Sequence, residues 1–227
     1  MSVLLIDADD TLWENNIYFE RAFDDFVSFL DHSTMTSAQV RDVLNEIELA
    51  NAKVHGYGAK NFGRNLQEAY HHLAERHIRL DDLTHVLSLA ERILEQPLQL
   101  IEDVEETLSQ LSSRHDLTLF TKGNLEEQRL KVDRSGLGGY FQHTAIVKEK
   151  DAMAYRSWVV GKGIDTSDAW MIGNSPKSDI NPALSVGLGA VLVPHPNTWV
   201  LERQELCTPE GCRFLQVERF TDLTNHF

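Results

Sequence analysis

The 227-residue chain holds only two cysteines, Cys207 and Cys212, too few for the disulfide framework of a small secreted domain. Four residues separate them, but no second Cys or His pair of zinc-site spacing lies nearby, so both read as ordinary thiols. No apolar run approaches the roughly 18 residues that span a bilayer. The opening Met-Ser-Val-Leu-Leu-Ile-Asp-Ala-Asp-Asp lacks the basic leader and small-residue cleavage site of a signal peptide. Positive charge is scarce: 21 Lys and Arg against 35 Asp and Glu leave a formal charge of −14, which repels nucleic-acid phosphates and anionic lipid. These absences predict a soluble cytoplasmic protein whose partners are neither nucleic acid nor membrane. Internal repeats and low-complexity tracts are missing as well. What is present is 42% hydrophobic and 25% charged residues, an ordinary globular mix that can bury a core. The length suits one core with a substantial insertion.

Short apolar runs with β-branched residues punctuate the chain at Val3–Ile6, Leu117–Phe120, Thr144–Val147, Ala169–Ile172 and Ala190–Val193. Each stops abruptly in polar or turn-forming residues, as strands buried on both faces of a parallel sheet do. Segments of helical spacing, such as Val104, Leu108 and Leu111, lie between them. Strands alternating with helices predict right-handed crossovers and an open, doubly wound α/β sheet, whose ligands gather at the carboxyl ends of the strands. Residues 14–96 break this pattern. Apolar stripes such as Phe19, Phe23, Phe26 and Leu30, or Leu66, Ala69, Tyr70 and Leu73, predict amphipathic helices that pack on one another. The expected division is a core of residues 1–13 and 97–227 with a helical module of residues 14–96 inserted after the first strand.

The first strand ends in Asp-Ala-Asp-Asp-Thr-Leu-Trp, with Asp7, Asp9 and Thr11 at alternate positions. Three carboxylates within four residues repel one another and raise at least one pKa unless a cation joins them. Oxygen donors of this kind suit a hard divalent ion, most economically Mg²⁺. A structural alternative is that Asp-Asp-Thr caps a helix beginning near Leu12. Later strand ends add Thr121, then Lys150, then Gly173-Asn174-Ser175 with Asp179 close behind. Each is weak alone, but their recurrence directly after buried-looking runs points to one shared site. The ten histidines are scattered, and none has an obvious convergent acid.

With these residues in this order the chain resembles the haloacid dehalogenase superfamily, specifically its Mg²⁺-dependent phosphatase branch with a helical cap after the first motif. The resemblance covers nearly the whole chain and rests on Asp7, Asp9 and Thr11 followed by Leu12. It implies that Asp7 attacks phosphorus to form an aspartyl-phosphate. It implies that Asp9 protonates the leaving oxygen and then activates water. Thr121, with Lys122 and Gly123 in the following turn, is implied to hold the phosphoryl group together with Thr11. Lys150, favoured over Lys148, is implied to neutralise charge on Asp7 and substrate. Metal ligands are implied at Asp7, Asp9, Asn174 and Asp179. The implied substrate is a small soluble phosphomonoester, and the implied assembly a monomer or homodimer.

One position departs from the pattern: Asn174 stands where the phosphatases usually carry an acid. A neutral amide weakens the claim on a cation, and metal-independent 2-haloacid dehalogenases have an Asn in the corresponding stretch. Those dehalogenases lack the second acid of the first motif, which this chain retains as Asp9. A third reading is a catalytically silent member that serves as a binding module.

Overall fold

A computed structural model describes residues 1–227. The chain divides into two compact units, Met1–Glu14 with Leu98–Phe227, and Asn15–Pro97.

The first unit is built on six strands: β1 (Val3–Ile6), β2 (Asp116–Lys122), β3 (His143–Val147), β4 (Ala169–Gly173), β5 (Gly189–Leu192) and β6 (Phe214–Gln216). All pair in parallel, in the order β3-β2-β1-β4-β5-β6. The five apolar runs read from the sequence become β1 to β5. The sixth strand carries only three residues at the sheet edge, too short for a periodic signal. Helices α5 (Val104–Ser112), α6 (Leu125–Ser135), α7 (Ala152–Lys162) and α8 (Asn181–Ser185) make the crossovers.

Alternation along β1 explains why its run is wholly apolar. Leu4 and Ile6 point into a cluster with Val104, Leu108 and Leu111 of α5. Leu5 points the other way, into Phe120, Tyr155, Val159 and Met171. Both faces are covered, so no polar residue is tolerated until Asp7. The chain winds outward from β1 through β2 to β3, then returns to β4 beside β1 and continues outward. The order therefore reverses between β1 and β4, where a doubly wound sheet leaves a crevice at its carboxyl edge.

Around the point of insertion, Trp13 bridges Leu100, the Glu14 N–H donates to the Gln99 carbonyl (2.9 Å), and the Ile101 N–H donates to that of Leu12 (3.0 Å). These bonds tie the outgoing and returning segments together inside the sheet unit. No helix begins near Leu12. The first helix starts at Asn16, so Asp10 and Thr11 cap nothing and the capping alternative is set aside.

The second unit consists of α1 (Asn16–Leu30), α2 (Ser37–His55), α3 (Ala59–Leu73) and α4 (Leu80–Glu91). Their apolar stripes meet in one core of Phe23, Phe26, Leu44, Phe62, Leu66, Tyr70 and Val86, among others. A capping box starts α2, with the Gln39 N–H donating to Thr36 Oγ1 (3.3 Å) and the Thr36 N–H donating to Gln39 Oε1 (2.9 Å). It satisfies two donors that a helix start would otherwise leave open. No helix of the chain is long and apolar enough to cross a membrane.

Phe120 is fully buried, with its ring 4.9 Å from Tyr155 and 6.0 Å from Trp158. Phe120→Ala is expected to destabilise the sheet unit by about 3–5 kcal/mol through lost burial and the cavity left behind. Denaturant unfolding followed by a probe in that unit checks it. A loss well under 1 kcal/mol would mean that this face of the sheet is not packed as described.

Candidate active site

The carboxyl edge of β1 and β4 is where the polar strand ends meet. The Asp7 N–H donates to the Ile172 carbonyl (2.9 Å), which extends the β1–β4 pairing by one residue and fixes Asp7 beside the start of the β4 loop. A tight turn follows, in which Thr11 N and Leu12 N both donate to the Ala8 carbonyl (3.2 and 2.8 Å). Asp10 takes a left-handed conformation, φ 59°, which aspartate accepts more readily than most residues. The turn brings Thr11 back over Asp7, and Thr11 Oγ1 donates to Asp7 Oδ2 (3.1 Å) and to Asn174 Oδ1 (3.4 Å).

Lys150 lies at the centre. Its ammonium is buried and donates to Asp7 Oδ1 and to Asp179 Oδ1, the latter at 2.7 Å. Lys148, two residues earlier, is exposed. The other oxygen of Asp179 accepts the Ser175 N–H (2.9 Å), and Asn174 Nδ2 donates to Thr198 Oγ1 (2.9 Å). Gly173 permits this arrangement, because a Cβ there would collide with the Asp179 carboxylate. The structure thus brings Asp7, Thr11, Lys150, Asn174 and Asp179 together, and Thr121 is buried at the end of neighbouring β2.

Charge is unbalanced in this group, with two buried carboxylates facing one ammonium. Burial, followed by the charge of Asp179, pushes the Asp7 carboxyl up from 3.8 to about 7, against the opposing pull of Lys150. Burial alone would lower the Lys150 ammonium, but Asp179 and Asp7 outweigh it and hold it above its ordinary value.

Asp9 faces a different set of partners. Lys131 Nζ donates to both of its oxygens (2.8 and 2.9 Å), Gln128 Nε2 to Oδ2 (2.7 Å) and Trp13 Nε1 to Oδ1 (2.7 Å). Burial would raise this carboxyl, but the Lys131 charge and the donated hydrogen bonds prevail and hold it below its ordinary value. Two members of the turn after β2 are also engaged. The Lys122 ammonium donates to Glu202 (2.6 Å), Ser178 (2.8 Å) and Glu149 (3.3 Å). The Gly123 N–H donates to the Val147 carbonyl (3.1 Å), continuing the β2–β3 pairing. Lys122 and Gly123, the turn residues expected to assist Thr121 at the phosphoryl group, make these contacts with protein acceptors.

Lys131, Gln128 and Trp13 were not singled out from the sequence as partners of Asp9, and Glu202 drew no attention. Nor are all the histidines isolated. His195, Asp10 and Glu14 place one ligand-type atom each within 4.8 Å of one another. His195 Nε2 lies 3.3 Å from Glu14 Oε1, and its Nδ1 accepts the Asn197 N–H at 3.3 Å. With both ring nitrogens facing protein groups, this cluster ties the loop after β5 to the turn after β1.

Comparison with known proteins adds the family. The model of haloacid dehalogenase-like hydrolases matches residues 1–187, and the chain belongs to that family. A haloacid dehalogenase-like family hydrolase from Xanthomonas campestris is similar over 100% of this chain and 94% of its own, with 25% identity and a TM-score of 0.85. A 2-haloacid dehalogenase from Pseudomonas syringae pv. Tomato DC3000 (19% identity, TM-score 0.65, 99% and 97% covered) shares the fold. So does a predicted phosphoglycolate phosphatase from Haemophilus somnus 129pt (14%, 0.66, 100% and 97%). No curated protein matches the chain. The protein is therefore a haloacid dehalogenase-like hydrolase with the family's α/β core.

The raised Asp7 makes a stability prediction. A carboxyl that titrates near 3.8 unfolded and about 7 folded contributes stability that is present below the unfolded value. That stability is lost as pH rises toward and through the folded value. In EDTA, Asp7→Asn is expected to gain stability relative to the parent between about pH 4 and pH 7, the gap then holding constant. Paired melting curves across that range check it, and a gap that does not change with pH contradicts it.

Proposed function

We propose that this hydrolase is a Mg²⁺-dependent phosphatase that acts on a small soluble phosphomonoester through an aspartyl-phosphate on Asp7. The observation that carries this reading is Asp9, a second carboxylate on the turn that follows the nucleophile's strand. An alkoxide leaving group needs a proton, whereas a departing halide needs none, so the second acid has work only in the phosphoester reaction.

The donor set fits a hard cation. Asp7, Asn174 and Asp179 offer oxygen atoms alone, and the excess carboxylate charge around Lys150 is the kind that such an ion balances. Those three residues, with Asp9 as expected from its motif, would hold Mg²⁺. Bound there, the ion would supply positive charge where the phosphoryl oxygens gather.

The remaining work belongs to the chain. The Asp7 carboxylate attacks phosphorus, with Thr11 and Lys150 fixing the orientation of its oxygens. Lys150 neutralises charge shared between Asp7 and the transferring group, which is the main requirement in phosphoryl transfer. Thr121 donates its hydroxyl to a phosphoryl oxygen. Asp9, protonated from solvent once the Lys131 contact loosens, gives that proton to the leaving oxygen and then, as the carboxylate, takes one from the water that cleaves the acyl-phosphate. The Lys131 contact keeps Asp9 ionised, which suits the second step and requires that contact to loosen for the first. The helical unit of residues 15–97 is assigned to substrate choice.

Asn174 favours a second reading, a 2-haloacid dehalogenase, because a neutral residue there and a lysine bridging two acids serve a metal-free ester mechanism. The two differ in where water enters. Hydrolysis of an acyl-phosphate at phosphorus puts solvent oxygen into phosphate, whereas hydrolysis of a carboxylic ester at carbon puts it into Asp7.

The expected outcome is release of para-nitrophenol from para-nitrophenyl phosphate with Mg²⁺, none with EDTA, and none from Asp7→Asn. Asp9→Asn should lower kcat by about 10²- to 10⁴-fold. Turnover of 2-chloropropionate in EDTA, with ¹⁸O from solvent appearing in Asp7, would replace the phosphatase reading with the dehalogenase one. Asn174→Asp should lower the Mg²⁺ concentration needed for half activity, and an unchanged or higher requirement would contradict the role given to Asn174.

A further inference from the structure

Glu202 lies beyond the stretch that the family model matches, in a short turn (Val200–Glu202) of the connection between β5 and β6. Its carboxylate is buried. One oxygen accepts Lys122 Nζ at 2.6 Å, and the other accepts the hydroxyls of Ser175 (2.6 Å) and Ser178 (2.5 Å). Its backbone carbonyl also accepts Ser175 Oγ at 3.3 Å. Lys122 in turn reaches Ser178 Oγ and Glu149, and Glu149 accepts the Lys150 N–H at 3.0 Å. One side chain therefore joins the end of β2 directly to the loop after β4, and through Lys122 to the loop that delivers Lys150.

The loop after β4 has particular need of such a tie. Residues Pro176–Ile180 form a single wide turn of π type, in which the Ile180 N–H reaches back to the Ser175 carbonyl (3.1 Å). Turns of this type are rare and occur mostly as single turns joined to α-helices, often at functional sites, and this one runs directly into α8 at Asn181. Of the two hydroxyls that Glu202 accepts, that of Ser175 caps the turn and that of Ser178 lies within it. The turn presents Asp179 to Lys150, and Asn174 enters it.

We propose that Glu202 is a positioning residue: it clamps the π turn through Ser175 and Ser178 so that Asp179 and Asn174 converge on Asp7 and Lys150. Lys122 is the clamp's counter-charge, which accounts for an ammonium buried next to the site but aimed away from it. A buried carboxylate with Lys122 at 2.6 Å, Lys177 at 3.9 Å and two hydroxyl donors is compensated, and its removal leaves Lys122 with Glu149 as its remaining counter-charge and frees the turn. The consequence for catalysis rests on the reading of Asp7, Asn174 and Asp179 as the reactive site, but the clamp itself does not.

Amide hydrogen exchange on the full-length chain tests the clamp. Glu202→Ala is expected to speed exchange in the segment 174–181 by about tenfold or more while β1 and the helical unit keep their protection. Glu202→Gln, which retains an acceptor oxygen, should recover most of it. Ser178→Ala, a small change that deletes one clamped hydroxyl, should loosen the same segment less and decides the matter if Glu202→Ala fails to fold. Unchanged protection at 174–181 in a folded variant, or equal loosening across the whole sheet unit, overturns the proposal.

In the para-nitrophenyl phosphate assay, Glu202→Ala should raise the Mg²⁺ concentration for half activity by about 10- to 100-fold, as loss of groups that orient metal ligands does. Glu202→Gln should restore it. An unaltered Mg²⁺ requirement in Glu202→Ala overturns the clamp's role in the site. A parent protein that hydrolyses nothing overturns the phosphatase reading alone, and the exchange pattern still decides the clamp.

Discussion

Everything at the carboxyl edge of the sheet depends on one buried ammonium, that of Lys150, held between Asp7 and Asp179. Without it two carboxylates would share a space from which water is excluded, at a cost of several kcal/mol per unpaired charge. With it they are brought side by side yet remain short of one positive charge, and burial together with the charge of Asp179 pushes the Asp7 carboxyl up to about 7. That residual imbalance is the chemical asset of the site.

The sheet supplies the rigidity that makes such a balance possible. Asp7 is fixed by a backbone bond to β4, and Asp179 by a backbone N–H inside its own turn. Asp9, only two residues away from Asp7, turns toward a separate set of partners, Lys131, Gln128 and Trp13. Opposite environments push the two carboxyls in opposite directions, one up by burial and like charge, the other down by an ion pair. Such divergence is how one short segment can provide two chemical roles.

Most of the fold was legible because buried parallel strands leave a plain signal, an apolar run cut off by polar residues, and five strands announced themselves that way. β6 did not, since three residues at an edge, two of them only half buried, form no pattern. The residues meeting Asp7 were legible because each follows a strand end. The partners of Asp9 were not: Gln128 and Lys131 belong to a polar helix more than a hundred residues away, and nothing local marks them. Glu202 was hidden for the same reason, since only the return of the chain past β5 carries it to Ser175. The partners of the Lys122 ammonium were hidden in the same way, because Glu149, Ser178 and Glu202 come from three later segments that no local pattern links to the end of β2.

The central claim is that Asp7 is the nucleophile. The most direct test is rapid acid quench of the protein turning over a phosphomonoester with Mg²⁺, followed by peptide mass analysis. The account predicts a phosphoryl adduct on the peptide that carries Asp7, removed by hydroxylamine and absent from Asp7→Asn. Steady turnover with no adduct, or an adduct on another residue, would contradict it.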